Sequence, residues 1–233
     1  MEEMRDVCMC GRFSLAVELS EVMERFHVRI GEEMSFHPRY NVAPTQLLPI
    51  IIEDESLRTR RLKQMEWGLI PRWVKDESTS KRLINARSET VLEKPAFRRS
   101  FRRHRCLVPA DGYFEWQTQE DGSKRPLHIV RKDRELFAFA GLWDQWISSE
   151  GKEKSTFTII TREADEEFRP IHQRMPVMLE PEAEETWIYH GVGQTDTLLA
   201  ILAGVSATEL EVHPVSTMVN SVHNDQAECV KPL

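Results

Sequence analysis

The segment Met9-Cys10-Gly11-Arg12-Phe13 looks like a second chain start, eight residues after the written one. An initiator Met before a small residue is normally removed, so a chain that begins at Met9 would carry Cys10 at its N-terminus. An α-amine has a pKa near 8 and is partly nucleophilic at neutral pH. It condenses with an aldehyde to an imine, and the thiol of the same residue then closes a thiazolidine, whereas lysine stops at the imine. Cys10 is therefore suited to trapping aldehydes; the alternative is a small buried hydrophobe.

Three further stretches carry candidate catalytic groups. In NARSET, Asn85 and Arg87 occupy alternate positions of a predicted strand and share one face. Glu115 lies between two large aromatic residues, which would exclude water from its carboxylate. Its pKa would then rise into the range useful for acid–base catalysis. His172 lies between two prolines in a predicted non-helical turn, and histidine is a common general acid or base. Each of these residues could also be purely structural.

The elements that must position these residues are mostly strands. Residues 18–27 have the apolar spacing of an amphipathic helix. A hairpin is predicted from QLLPIIIED and LRTRRLKQMEWGLI, and Asp121-Gly122 predicts another. Two helical stretches come later, PEAEETWIYH and DTLLAILAG. Four stretches predict successive strands: RCLVPADGYFEWQ, KRPLHIVRK, LFAFAGLWDQW and STFTIITRE. The fold class is therefore α+β, with an antiparallel sheet that curls into a barrel-like core and with helices packed outside.

Composition limits the class of protein. The chain has 233 residues, 40% of them hydrophobic, and we expect one domain over residues 10–233 preceded by an extension, residues 1–9. No membrane span or secretory signal is predicted, so a soluble cytoplasmic protein is expected. The four cysteines show no metal-site spacing, and no metal or organic cofactor is expected. A net charge of -7 argues against a general nucleic-acid coat protein.

Basic residues are nevertheless concentrated in two places. A thinner patch contains Arg58, Arg60, Arg61 and Lys63. The denser patch contains Arg98, Arg99, Arg102, Arg103, His104 and Arg105, with two phenylalanines interleaved. Such a patch is either the solvated face of a helix or a surface that attracts phosphate.

Taken together, seven ordered motifs resemble the SRAP family (SOS-response-associated peptidase), whose members crosslink covalently to abasic sites in single-stranded DNA. The motifs are MCGRF, PRYNVAPTQ, WGLIPRW, INARSET, CLVPADGYFEW, IHQRMPVML and a late HPVS followed by asparagines. They span nearly the whole chain from Met9.

The resemblance implies a role for each candidate catalytic residue. Cys10, once N-terminal, would attack the aldehyde of a ring-opened abasic deoxyribose and form the thiazolidine. Asn85 would hold the amine of Cys10 by hydrogen bonding. Glu115 would move protons during imine formation and during removal of whatever precedes Cys10. His172 would assist opening of the sugar ring.

The resemblance also implies a DNA-contact surface that recognises damage without sequence preference. Basic residues would contact phosphates, and aromatic faces would line the path of a strand kinked at the missing base. The residues assigned to this surface are Arg12, Pro44, Trp67, Trp73, Arg87 and Trp116. The alternative for the tryptophans is core packing. The expected partner is single-stranded DNA with abasic sites, bound by a monomer that joins the nucleoid when it is on DNA.

The extension MEEMRDVC departs from the family pattern, because it leaves the nitrogen of Cys10 as an amide. Either Met9 is the true start, which we favour, or the extension is a propeptide that the protein removes itself. Two other functions stay open. A thiol peptidase acting on other proteins would use Cys10 with His172 as base. A non-covalent single-strand binder would treat intact and abasic strands alike.

Overall fold

The computed structural model describes residues 10–30, 34–54, 56–189 and 195–233. The predicted extension, residues 1–9, lies outside the described residues. The helices within these ranges are α1 Leu19–Phe26, α2 Pro95–Arg103, α3 Pro181–Ile188 and α4 Thr195–Ile201. The strands are β1 Phe13–Leu15, β2 Arg29–Ile30, β3 Arg39–Val42, β4 Leu47–Asp54, β5 Thr59–Trp67, β6 Asn85–Arg87, β7 Arg105–Ala110, β8 Gly112–Thr118, β9 Lys124–Arg131, β10 Phe137–Ile147, β11 Glu153–Glu163, β12 Arg174–Pro176 and β13 Leu210–Pro214.

Five strands close into a barrel in the order β5, β4, β7, β10 and β11, and β11 returns to pair with β5. The first four pairings are antiparallel, but the closing pair joins Glu66 to Thr156 and Trp67 to Phe157 in parallel. A ring of five strands cannot be antiparallel at every seam, because an odd number of reversals does not return to the starting direction. The predicted α+β class with a barrel-like sheet is confirmed, and one seam differs from the antiparallel expectation for this topological reason.

A second sheet, with strand order β13, β9, β8, β1 and β3, is antiparallel throughout. The predicted hairpin at Asp121-Gly122 joins β8 to β9, and Gly122 has φ +81°. The stretch RCLVPADGYFEWQ, expected as one strand, is two: β7 in the barrel and β8 in this sheet. The chain turns at Asp111-Gly112, where a Cβ on Gly112 would lie 2.2 Å from Nε2 of His128. Glycine is therefore required where β8 begins.

Alternate residues of the barrel strands enter two separate apolar cores. Val108 and Phe139 belong to a core that also contains Cys10 and residues of the second sheet. Leu107, between the inward residues of β7, belongs to the other core, which helices α1, α2 and α3 cover. Because alternate side chains of a strand point to opposite faces of the sheet, one set lines the core that contains Cys10 and the other set lines the core beneath the helices.

Most of the dense basic patch lies on the exposed face of α2, which is compatible with both interpretations. Phe97 and Phe101 of this helix are buried, and its four arginines are exposed. Arg105 does not belong to the patch: it is 2% exposed, and its guanidinium donates to the backbone carbonyl oxygens of Trp187 (2.5 Å) and Tyr189 (2.7 Å). Among the described residues, no helix is long and apolar enough to cross a membrane.

Candidate active site

Cys10 lies three residues before β1 and is fully buried. Its backbone nitrogen, an amide in this chain, donates a hydrogen bond of 3.0 Å to Oε1 of Glu115. The pairing of β1 with β8, which sets Phe13 opposite Tyr113, brings the two residues together. A carboxyl group thus contacts the nitrogen that would become the nucleophilic amine if Cys10 were the first residue.

Glu115 is 5% exposed, and burial raises its pKa from 4.5 to about 8. The N–H groups of Cys10 and Trp116 act in the opposite direction by stabilising the carboxylate. The sequence predicted the raised pKa but attributed it to the flanking residues. Along β8 the side chains of Phe114 and Trp116 point to the opposite face, where Phe114 joins a small separate core. The desolvation therefore comes from the core that contains Cys10.

Asn85 begins β6, which is held parallel to β11 through the pair Asn85–Ile159. Its side-chain nitrogen donates to the carbonyl oxygen of Cys10 at 3.4 Å. Asn85 and Glu115 therefore contact two backbone atoms of Cys10. The predicted contact of Asn85 with the amine itself stays a prediction.

His172 is half-buried in the turn between β11 and β12. Its backbone N–H donates to the carbonyl oxygen of Phe168 at 3.0 Å, and residues 168–172 form a turn outside the helices and strands, as predicted. Nδ1 of His172 lies 3.0 Å from the backbone nitrogen of Arg174 and 3.1 Å from its carbonyl oxygen. The polar contacts of the ring are therefore with the neighbouring backbone of Arg174.

Tyr113 is a site residue that the sequence reasoning missed. It lies two positions before Glu115 on β8, so both side chains share one face. Within the described part of the chain its buried hydroxyl has no hydrogen-bond partner. Burial raises its pKa well above 10, and negative charge on Cys10 and Glu115 raises it further. The phenol therefore stays protonated close to the reactive residue, and the two-residue spacing in GYFEW was the available signal.

The family model described as SOS response associated peptidase (SRAP) matches residues 9–222. The chain belongs to the SRAP family. It is 42% identical over 224 residues to "Abasic site processing protein YoqW" of Bacillus subtilis, covering 96% of this chain and 99% of that protein. It is 35% identical to "Abasic site processing protein HMCES" of Gallus gallus, covering 86% of this chain and 68% of that protein. A crystal structure from Bacteroides thetaiotaomicron superposes with a TM-score of 0.85 at 28% identity, covering 96% of this chain and 100% of that one.

In this SRAP domain Arg12 follows Cys10 by two residues and is half-buried. Its guanidinium carbon lies 5.6 Å from the ring centroid of Trp116, and Nη1 donates to the carbonyl oxygen of Val219 at 2.8 Å. Trp116 follows Glu115 directly in β8, so its ring lies on the opposite face of the strand from the Glu115 side chain. Two of the residues assigned to DNA therefore lie side by side, across β8 from the Glu115 carboxyl group.

The remaining residues assigned to DNA are placed differently. Trp73 is 58% exposed, Arg87 is exposed at the end of β6, and Pro44 is half-exposed in the turn before β4. Trp67 is fully buried: Nε1 donates to the carbonyl oxygen of Ile84 at 2.9 Å, and its ring meets that of Phe13 edge-on at 5.2 Å. The prediction that Trp67 contacts DNA is wrong, because neither face of its ring is available to a base.

Among the described residues, no group of three or more His, Cys, Asp and Glu side chains is arranged to hold a metal ion. Cys106 and Cys229 are buried; Cys106 belongs to the same apolar core as Cys10, and Cys229 belongs to a small separate one. The thiol of Cys10 is a potential nucleophile, and the carboxyl group of Glu115 beside it is suited to proton transfer.

Proposed function

We propose that this SRAP protein binds single-stranded DNA at abasic sites and crosslinks to them through Cys10, and that it first removes the residues that precede Cys10. The 3.0 Å hydrogen bond between the Cys10 nitrogen and the buried Glu115 carries the proposal. One carboxyl group next to that nitrogen serves both reactions, because the nitrogen is the leaving group in the first and the nucleophile in the second. The names of the relatives, which describe abasic site processing, support the substrate class.

Removal of the extension begins with attack of the Cys10 thiol on the carbonyl carbon of the preceding residue, and the thiol proton passes to the carbonyl oxygen. The carbon–nitrogen bond then breaks, and the departing nitrogen takes a proton from Glu115, whose pKa of about 8 keeps it protonated at neutral pH. The proton on the oxygen returns to Glu115 as the carbonyl group re-forms. Water then hydrolyses the thioester, which returns the thiol and releases the extension. The hydrogen bond from Asn85 to the carbonyl oxygen of Cys10 holds the residue in place through these steps.

Capture of the abasic sugar uses the amine that this cleavage exposes. The amine adds to the aldehyde carbon, and the carbinolamine loses its oxygen as water after protonation by Glu115. The thiol adds to the resulting imine carbon and its proton passes to the nitrogen, which gives the thiazolidine. His172 passes a proton from the anomeric hydroxyl group to the ring oxygen as the sugar ring opens.

Contact with the strand is assigned to the exposed and half-exposed members of the predicted surface. Arg12 and Arg87 contact phosphates, while Trp73 and Trp116 stack on bases beside the lesion and the Pro44 turn borders the path. Because stacking and phosphate contacts do not read base identity, binding is independent of sequence. Binding weakens as the salt concentration rises.

Intact-mass measurement after incubation with a single-stranded oligonucleotide carrying one abasic site tests the proposal. The expected product begins at Cys10 and gains the mass of the oligonucleotide less water, and an intact oligonucleotide gives no adduct. The Cys10→Ala variant keeps residues 1–9 and forms no thiazolidine. Adduct formation by Cys10→Ala contradicts the mechanism. Retention of residues 1–9 with cleavage of other proteins favours the thiol peptidase, and equal non-covalent binding of intact and abasic strands favours the simple binder.

A further inference from the structure

A buried asparagine connects the two ends of the described chain beside the active site. Asn41, on β3, is fully buried, and its Nδ2 donates to the carbonyl oxygens of Val219 (3.2 Å), Ser221 (3.0 Å) and Asn224 (2.7 Å). Its Oδ1 accepts from Nη1 of Arg12 at 2.7 Å. Both polar atoms of the amide are thus used, which offsets the cost of burying it.

The same C-terminal turn holds the ring that Arg12 faces. Trp116 donates from Nε1 to Oδ1 of Asn220 at 2.7 Å. Arg12, besides its bond to Asn41, donates to the carbonyl oxygen of Val219, the neighbour of Asn220. Cation and ring are therefore each bonded to the turn Thr217–Asn220 as well as packed on each other.

A second connection fixes that turn to β3. Oδ1 of Asp225 accepts from the backbone N–H groups of Tyr40 (2.6 Å) and Asn41 (2.9 Å), and Oδ2 forms an ion pair with Arg39. The C-terminal segment is thereby bonded to β3 at Arg39, Tyr40 and Asn41. Its position is set before any ligand arrives.

These contacts matter energetically because a free arginine side chain is mobile. Immobilising a long side chain costs conformational entropy, and that cost weakens binding if it is incurred only when the ligand docks. A side chain that is already fixed in the free protein avoids this loss. The benefit is confined to a ligand that contacts Arg12 and Trp116.

We propose that Asn41 and Asn220 are positioning residues that hold Arg12 and Trp116 as one preorganised contact surface for the DNA strand next to Cys10. The inference deepens the proposed function and rests on it, because the ligand of the surface is the strand assigned there. Neither asparagine touches the reacting atoms, and each acts through the side chain that it holds.

The test measures affinity for intact single-stranded DNA by fluorescence anisotropy in the Cys10→Ala chain, so that no covalent step contributes. Asn220 is exposed, and its replacement by Ala removes only the acceptor for Trp116. We expect Asn220→Ala to weaken binding about two- to fivefold. In a Trp116→Phe background, which keeps a ring but lacks the N–H group, Asn220→Ala has no further effect. Thr217→Ala, an exposed change in the same turn, is the matched control and leaves the affinity unchanged.

Asn41 is tested against Arg12 in the same way. Asn41→Ala weakens binding about three- to tenfold when Arg12 is present, and has no further effect on affinity in Arg12→Ala. Its cost to thermal stability appears in both backgrounds, because the bonds to the C-terminal carbonyls do not involve Arg12. A structural role alone would give equal affinity losses in the two backgrounds.

The outcomes separate this inference from the proposed function. If the Cys10→Ala parent binds no single-stranded DNA, the assignment of DNA to this surface fails and the inference fails with it. If the parent binds but Asn220→Ala binds equally well, only the inference is overturned. Additive losses in either double-mutant cycle also overturn it, because each asparagine would then act independently of the side chain it contacts.

Discussion

Replacing Glu115 by Gln in the Cys10→Ala chain should remove a large pH dependence of stability. In the folded chain burial raises the pKa of Glu115 to about 8, whereas the unfolded chain has the ordinary value of 4.5. Between these values the folded state holds a proton that the unfolded state has released, so the free energy of unfolding falls as the pH rises from about 4.5 to about 8. Each tenfold difference in proton affinity corresponds to about 1.4 kcal/mol, which gives a fall on the order of 5 kcal/mol. Glutamine does not titrate, so the variant lacks this fall.

The assay is urea unfolding followed by tryptophan fluorescence at about pH 5, 7 and 9. The difference between the two proteins reports the contribution of Glu115 alone, because groups that titrate in both contribute equally and cancel. His128 is one such group, since burial lowers the pKa of its ring to about 3. The Glu115 chain should lose stability relative to Glu115→Gln across the whole range. Two profiles that stay parallel within about 1 kcal/mol would refute the argument that burial keeps this carboxyl group protonated. A chain beginning at Cys10 should show a smaller fall, because an ammonium group 3.0 Å from Oε1 stabilises the carboxylate.

Two substitutions elsewhere separate surface from core. Trp73→Ala should weaken binding of single-stranded DNA, measured by anisotropy, and change the free energy of unfolding by less than about 0.5 kcal/mol. Trp67→Ala should lower the free energy of unfolding, measured with urea, by about 3 to 5 kcal/mol. If Trp73→Ala destabilised the fold and Trp67→Ala mainly weakened DNA binding, the two assignments would be reversed. Glu184, 1% exposed, pairs with Arg25 at 2.8 Å and Arg60 at 3.2 Å. Glu184→Ala should lower the free energy of unfolding by about 3 to 5 kcal/mol, because it leaves two cations without their buried partner. A loss below about 1 kcal/mol would show that water takes the place of the carboxylate.

Local patterns in the sequence predicted most of the elements. The turn at Asp121-Gly122, the helix over residues 18–27 and the strand-rich order require only neighbours in the chain, and each is present. The closing seam between β5 and β11 was not predictable in the same way, because it joins segments about ninety residues apart. The alternation of Met65 and Trp67 does carry local information: both residues are fully buried on one face, and that pattern favoured core packing for Trp67.

The site was predictable in its residues but not in its contacts. Cys10 and Glu115 are chemically distinctive, yet the atom of Cys10 that each neighbour contacts depends on β1, β8 and β6 meeting in space. Arg105 and Asn41 show the same limit. Arg105 lies within an arginine-rich run and gave no sign that it would be buried. Its guanidinium donates to the nearby carbonyl groups of Phe101 and Arg102, but the two other acceptors come from more than eighty residues later. The partners of Asn41 lie still farther along the chain.

The parallel seam that closes the barrel also has a consequence for the order of folding. Pairings between distant segments form slowly, because loop-closure entropy opposes them until other contacts are in place. Strand β11 makes this seam at Thr156 and Phe157 and holds β6 immediately beyond it, so Asn85 docks on a strand that becomes fixed only when the ring closes. Cys10 and its second neighbour, Glu115, are 105 residues apart, so the pairing of β1 with β8 that joins them is also long-range. A newly made chain would thus carry its thiol for a time without the complete site, and would acquire reactivity as one of its last folding events.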